Sequence, residues 1–208
     1  WMDFFQGRGR KHLERYLARS GRYIPMISQV LRQQGLPEDL ACLAMIESGF
    51  NPHAYSRARA VGTWQFMYRT GLHYGLKANN WLDERRDPEK STIAAAKYLK
   101  DLYDRFDHWY LAAAGYNAGE GKISRAIKKY GTEDFWEVSK GKYLKAETKN
   151  YVPKLIAAAL IAKNPKKYGF EKINYENPIE YDTAIIDSPT DLRVIAEAAG
   201  TTHEEIKG

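Results

Sequence analysis

From about residue 11 to residue 170 the apolar positions recur at helical spacing and strand-type alternation is nearly absent, which predicts an all-α body. Over 11–34 the apolar set is Leu13, Tyr16 and Leu17, then Ile24, Ile27, Val30 and Leu31. Ser20-Gly21 interrupts it and Gly35 closes it, so two helices are expected. Pro37 takes a first-turn position, Glu38 and Asp39 supply an acidic start, and the helix that follows is apolar nearly all round as far as Glu47-Ser48-Gly49. A helix without a polar face belongs at the centre of the molecule. A polar, glycine-bearing loop is expected over 51–62 and a short aromatic helix over 64–72, with a cleft near their junction. Asp87-Pro88 is an N-cap followed by proline at the first helical position; it opens an amphipathic helix with Ile93, Ala96, Leu99, Leu102, Tyr103 and Phe106 on one face. Further helices are expected at 108–116, 120–130 and 147–163, the last accommodating Pro153 in its opening turns.

Beyond Phe170 the pattern changes. Residues 179–186 are short and β-like, Ser188-Pro189 is a breaker, Asp191 to Ala199 reads as a helix stopped by Gly200, and 202–207 begins another. The expected organisation is a main helical domain over 1–172 and a small α+β C-terminal module over 173–208. A chain of 208 residues suffices for one well-buried core plus such an appendage.

Composition narrows the function classes only a little. With 44% hydrophobic and 28% charged residues the chain reads as soluble and globular. No apolar run approaches the roughly 18–20 residues needed to span a bilayer. No basic stretch followed by an apolar run opens the chain at Trp1, so any membrane attachment is expected through a lipid anchor outside this chain. Cys42, the single cysteine, sits in the apolar run Leu40 to Ile46 and reads as a core thiol rather than a nucleophile. A net charge of +6 suits an anionic partner, but the basic residues are scattered and accompany no nucleic-acid motif, so no nucleic-acid partner is expected. His12, His53, His73, His108 and His203 show no ligand spacing, and neither a metal nor another cofactor is expected.

The candidate chemistry centres on Glu47, a carboxylate at the end of a seven-residue apolar run and on one helical face with Leu40 and Leu43. Desolvation and the partial negative charge of a helix C-terminus both disfavour its ionised form, as a general acid requires. By position alone, a glutamate that has simply reached solvent at a helix end is an equal reading. Around it stand Glu47-Ser48-Gly49-Phe50-Asn51-Pro52, Ser56, Gly62-Thr63-Trp64-Gln65-Phe66-Met67, Ala114-Gly115-Tyr116-Asn117-Ala118-Gly119, and Glu147-Thr148 with Tyr151-Val152-Pro153. In this order, over roughly 11–170, they resemble the catalytic domain of the soluble lytic transglycosylases, which is goose-type lysozyme-like. The run Trp81-Leu82-Asp83-Glu84-Arg85-Arg86-Asp87-Pro88 is most similar to the membrane-bound lytic murein transglycosylase D branch.

The resemblance implies a lysozyme-like helical fold with Glu47 as the one catalytic acid/base. It places Ser56, Gln65, Phe66 and Met67 around the sugar site, Tyr116 and Asn117 across the cleft, Glu147 on its floor and Tyr151 beside it. Taken singly, Trp64, Phe66 and Met67 could be ordinary core, Asn117-Ala118-Gly119 a helix stop and Glu147 a helix-start acid. The implied reaction cleaves the β-1,4 bond between N-acetylmuramic acid and N-acetylglucosamine without water, leaving 1,6-anhydro-muramic acid ends. The implied partner is the peptidoglycan glycan strand, met by a monomer in the periplasm or at the outer membrane. Two alternatives stay open: a lysozyme-type hydrolase with Glu147 as base, and a non-catalytic peptidoglycan-binding protein. Glu147 is expected to be structural, and 83–88 a charge-dense surface turn held by ion pairs. Asp191 to Ala196 with Ala199 to Thr202 resembles the helix-turn-helix half of a truncated LysM-like unit; a helical appendage packed on the catalytic domain is the other reading.

Overall fold

The computed structural model describes residues 1–181 and 184–207, which divide into two compact units, Trp1–Pro178 and Ile179–Gly208. The first contains α1 (Met2–Gln6), α2 (Arg10–Gln33), α3 (Ala41–Ser48), α4 (Tyr68–His73), α5 (Pro88–Phe106), α6 (Trp109–Ala118), α7 (Glu120–Tyr130), α8 (Phe135–Lys140) and α9 (Ala146–Lys163). The second contains α10 (Leu192–Ala198) and α11 (His203–Lys207). Helices α3 and α6 form the centre. Every residue of α3 from Ala41 to Ile46, and of α6 from Leu111 to Gly115, is buried. Helices α2 and α9 pack on α3, and α5, α7 and α9 on α6. The helix with no polar face is thus the one enclosed on all sides, as the pattern requires. Asp87 caps α5, its carboxylate accepting from the Lys90 amide at 2.9 Å.

Three local expectations are corrected. Residues 10–33 form one helix, not two: Ser20 Oγ donates to the Leu17 carbonyl, and the chain returning past residue 170 docks where Gly21 has no side chain. There the Glu176 amide donates to Ala18 O at 2.9 Å, and a Cβ on Gly21 would stand 2.4 Å from Glu176 O. The Ser-Gly pair therefore marks a close approach rather than a break. Residues 64–67 are not helical. Val61 pairs with Phe66 in an isolated antiparallel bridge, and Gln65 has φ +52°, outside the helical region, so the helix begins only at Tyr68. Pro153 lies in the third turn of α9 rather than in its opening turns, where it withholds an N–H from the Lys149 carbonyl.

The turn at 83–88 is held by ion pairs but is not at the surface: Glu84 and Arg85 are both buried. In the second unit, residues 179–181 and 184–186 form no strand, and Asp182 and Thr183 lie outside the described residues. Ile185 is 88% exposed. Among the described residues the apolar alternation there enters no β-ladder, and a strand without a ladder lacks what stabilises it. The α+β, LysM-like description does not hold among the described residues. This unit is a pair of short helices around Ala196, with Thr202 and Glu205 forming a reciprocal capping box at the start of α11.

Candidate active site

Glu47 stands in the last turn of α3, and the chain beyond it is fixed by an unusual sequence of backbone conformations. Gly49 and Phe50 both have positive φ, +61° and +57°; their amides turn back to the carbonyls of Met45 and Ala44 and close the helix. Ser48 Oγ donates to Thr63 O at 2.8 Å and accepts from the Asn51 amide at 3.0 Å, tying the helix end to the loop that carries Gln65. That loop is pressed against the 83–88 turn. Gly62 has φ +83°, and a Cβ there would lie 1.8 Å from Arg85 O, so only glycine fits. The Arg85 guanidinium, paired with Asp83 at 2.7 Å, donates to Phe66 O at 3.2 Å. Trp64 Nε1 reaches Thr92 Oγ1 on α5 at 2.8 Å, and the Tyr116 hydroxyl on α6 donates to Trp64 O at 2.8 Å. The loop is therefore held by α3, α5, α6 and the buried arginine together.

These constraints open a cleft of about 600 Å³ onto which Glu47, Ser56, Gln65, Asn117, Glu147 and Tyr151 all face. The Tyr151 hydroxyl donates to Glu47 Oε1 at 2.5 Å. Burial raises the pKa of Glu47 above the ordinary glutamate range; the Tyr151 bond and the Lys154 charge oppose that rise, and Glu147 adds to it. Tyr151 and Tyr116 are both pushed well above the ordinary phenol range, by burial first and by the Glu47 charge second, and so remain hydrogen-bond donors. Across the cleft Asn117 Nδ2 donates to Glu147 Oε1 at 3.4 Å. Ser56 Oγ accepts from the Ala60 amide at 2.9 Å, and Gln65 Nε2 donates to Gly62 O at 2.9 Å, so both side chains brace the loop while facing the cleft.

Phe66, Met67 and Tyr116 do not line this cleft. Phe66 is 2% exposed, edge-on to Tyr116 in the core, and Met67 is 46% exposed just before α4. Tyr116 supports the loop from beneath through its bond to Trp64. The structure also brings in residues that motif reading missed: Trp1, Asn150 and Lys154. Lys154 could have been found, because Glu147, Tyr151 and Lys154 follow i, i+4, i+7 spacing on one face of α9. A second cavity of about 380 Å³ lies against the Ala41, Cys42 and Met45 side of α3. Burial pushes the Cys42 thiol there up to about 12, as befits a core sulfur. No cluster of His, Cys, Asp and Glu able to hold a metal ion occurs among the described residues.

The family described as Transglycosylase SLT domain matches residues 25–139, more than half of the chain. This chain belongs to the transglycosylase SLT domain family. The SLT chain is 35% identical over 205 residues to membrane-bound lytic murein transglycosylase D of Escherichia coli strain K12, covering 96% of itself and 44% of that relative. It thus spans less than half the length of that protein. Its fold is that of the 70 kDa soluble lytic transglycosylase of Escherichia coli (TM-score 0.60, 22% identity, 69% of this chain and 24% of the other). It is likewise similar to lytic transglycosylase Slt of Pseudomonas aeruginosa, solved as an inactive mutant with glutamine in place of one glutamate (TM-score 0.56, 22% identity, 73% and 25% covered).

Proposed function

We propose that this SLT domain is a peptidoglycan lytic transglycosylase with Glu47 as its acid and base. The observation that carries the reading is a carboxyl group on the lining of a cleft, its pKa raised by burial, that accepts a hydrogen bond from Tyr151. Glu47 protonates the oxygen that bridges N-acetylmuramic acid to N-acetylglucosamine, and that bond breaks as positive charge develops at the anomeric carbon. The carboxylate so formed takes the proton of the muramic acid 6-hydroxyl, whose oxygen bonds to the anomeric carbon and leaves a 1,6-anhydro end. Glu47 regains its proton, and water is not consumed. An intramolecular nucleophile has a high effective molarity, so a second activating carboxylate is dispensable. Glycosidases that use water or a covalent intermediate need two.

Glu147 is the other carboxylate on the cleft, and its bond to Asn117 supports a positioning role toward Asn117 or a sugar hydroxyl. Ser56, Gln65 and Asn117 offer polar atoms to the glycan from the walls, while Phe66 and Tyr116 act through the loop they support. The relatives' names support action on murein in the cell envelope. Mass spectrometry of sacculi digested by the protein and by Glu47→Gln tests the reading. Anhydro-ended products from the unaltered protein alone are expected; reducing ends would transfer the site to a lysozyme-type hydrolase. Glu147→Gln is expected to slow release without changing the product.

A further inference from the structure

The carbonyls of Ala44, Met45 and Ile46 near the end of helix α3 each accept from a different donor beyond the helix. Ala44 O accepts from the Phe50 amide, Met45 O from the Gly49 amide at 2.9 Å, and Ile46 O from Lys154 Nζ, also at 2.9 Å. The lysine comes from α9, a separate element. Its ammonium is half-buried on the carbonyl of the residue immediately before Glu47, on the rim of the same cleft, with the Trp1 ring centroid 6.0 Å away. A cation on a helix C-terminus cancels the partial negative charge of the unpaired carbonyls. Burial lowers the Lys154 pKa, and the attraction of Glu47 and Glu147 opposes that loss of its proton. A lysine whose only purpose was to cap α3 could equally lie in solvent.

We propose that Lys154 is a positioning residue for glycosidic-bond cleavage: seated on the Ile46 carbonyl, its ammonium stabilises the ionised form of Glu47 on which the second half of the reaction depends. The inference rests on the reading of Glu47 as acid and base. Burial favours the protonated carboxyl that starts the reaction; an adjacent cation offsets part of the cost of the buried carboxylate that remains once the leaving sugar has taken the proton. The groups facing Glu47 are few. From α9 come Glu147, Tyr151 and Lys154 and from α6 comes Tyr116, while a second cation at this helix end, Arg19 of α2, donates to Gly49 O at 3.4 Å. Of the two cations only Lys154 shares the cleft lining with Glu47.

The test is a titration of the Glu47 side-chain carbonyl by ¹³C NMR, its resonance assigned by its loss in Glu47→Gln, in the unaltered protein and in Lys154→Met, Lys154→Gln and Lys154→Arg. Lys154→Gln keeps a donor for Ile46 without the charge and serves where Lys154→Met fails to fold. The Glu47 midpoint is expected to rise by about one pH unit in the Met and Gln variants and to stay in place in the Arg variant. With it, the alkaline limb of kcat/KM moves up in pH while kcat falls about tenfold. An unmoved midpoint in folded variants overturns the role of Lys154 whatever the products are. Missing anhydro ends from the unaltered protein would sink the transglycosylase reading whatever the titration shows.

Discussion

Glu47 must hold a proton at one moment and accept one at the next, and its surroundings are divided accordingly. Burial favours the neutral form; Tyr151 and Lys154 favour the charged one. The compromise has a consequence for stability. In the unfolded chain the carboxyl ionises near its ordinary value of about 4.3. In the folded chain it holds its proton to higher pH, so the folded state binds more protons in that interval and stability falls as pH rises through it. Glu47→Gln removes the burden, and its melting temperature is expected to exceed that of the unaltered protein by a few degrees at pH 7 and by nothing below about pH 4. Calorimetry across that range decides it; a gain that persists in acid would mean the glutamine merely packs better. Tyr151→Phe deletes the donor to Oε1 and leaves the ring in place, so turnover is expected to fall about 10- to 100-fold with the fold unchanged by circular dichroism. Much of this site was readable in the sequence, because an acid at the end of an apolar run is conspicuous and its motif neighbours travel with it. Lys154 was signalled only by its spacing with Glu147 and Tyr151, since a lysine in a helix otherwise looks like solvent-facing charge until the facing helix end is known. Phe66 packs edge-on to Tyr116 and the Tyr116 hydroxyl supports Trp64 O, a division between wall and supporting beam that proximity in a motif does not give.

The element that gives the site its rigidity is the loop from Gly62 to Met67, and it is also where the periodicity misled. Its aromatic residues suggest a helix, yet Trp64 is spent on Thr92, Phe66 on the Tyr116 ring, and Gln65 sits at positive φ between them. Tertiary partners have overridden local preference. The position that admits no substitute is Gly62. Alanine there would set a Cβ 1.8 Å from Arg85 O in a backbone conformation unfavourable to L side chains, and the carbonyl it meets belongs to a buried, ion-paired turn that cannot give way. Gly62→Ala is expected to destabilise the protein by about 3 kcal/mol, a fall in melting temperature of about 10 °C, and to reduce activity further by misplacing Gln65. A melting temperature within 2 °C of the unaltered value, on the scale of about 2–4 °C per kcal/mol, would mean the turn yields and the loop is not held as described. The same logic explains Ser20-Gly21 in α2: both glycines mark backbone approaching backbone, which in sequence looks identical to a helix break.

At the scale of the whole molecule the all-α body followed from periodicity, because helices declare their buried faces within a few turns of their own sequence. The described residues of 179–186 did not, because a strand is stabilised by its neighbour and alternation alone cannot show that a neighbour exists. The division after Pro178 has a practical meaning. The first unit contains every residue assigned to the cleft, together with the core formed by α2, α3, α5, α6 and α9, whereas the second buries little beyond Ala196. A chain ending at Pro178 is therefore expected to fold, to melt within a few degrees of the longer one, and to release anhydro-ended products from short soluble glycan fragments at a rate within about twofold. Comparing those fragments with intact sacculi separates two roles for the second unit. Equal rates on both substrates would make it dispensable to catalysis and to capture. A loss confined to sacculi would assign it to holding the polymer. A loss on both, with the cleft residues untouched, would show that the catalytic unit depends on residues beyond 178 and that the division drawn here is not a functional one.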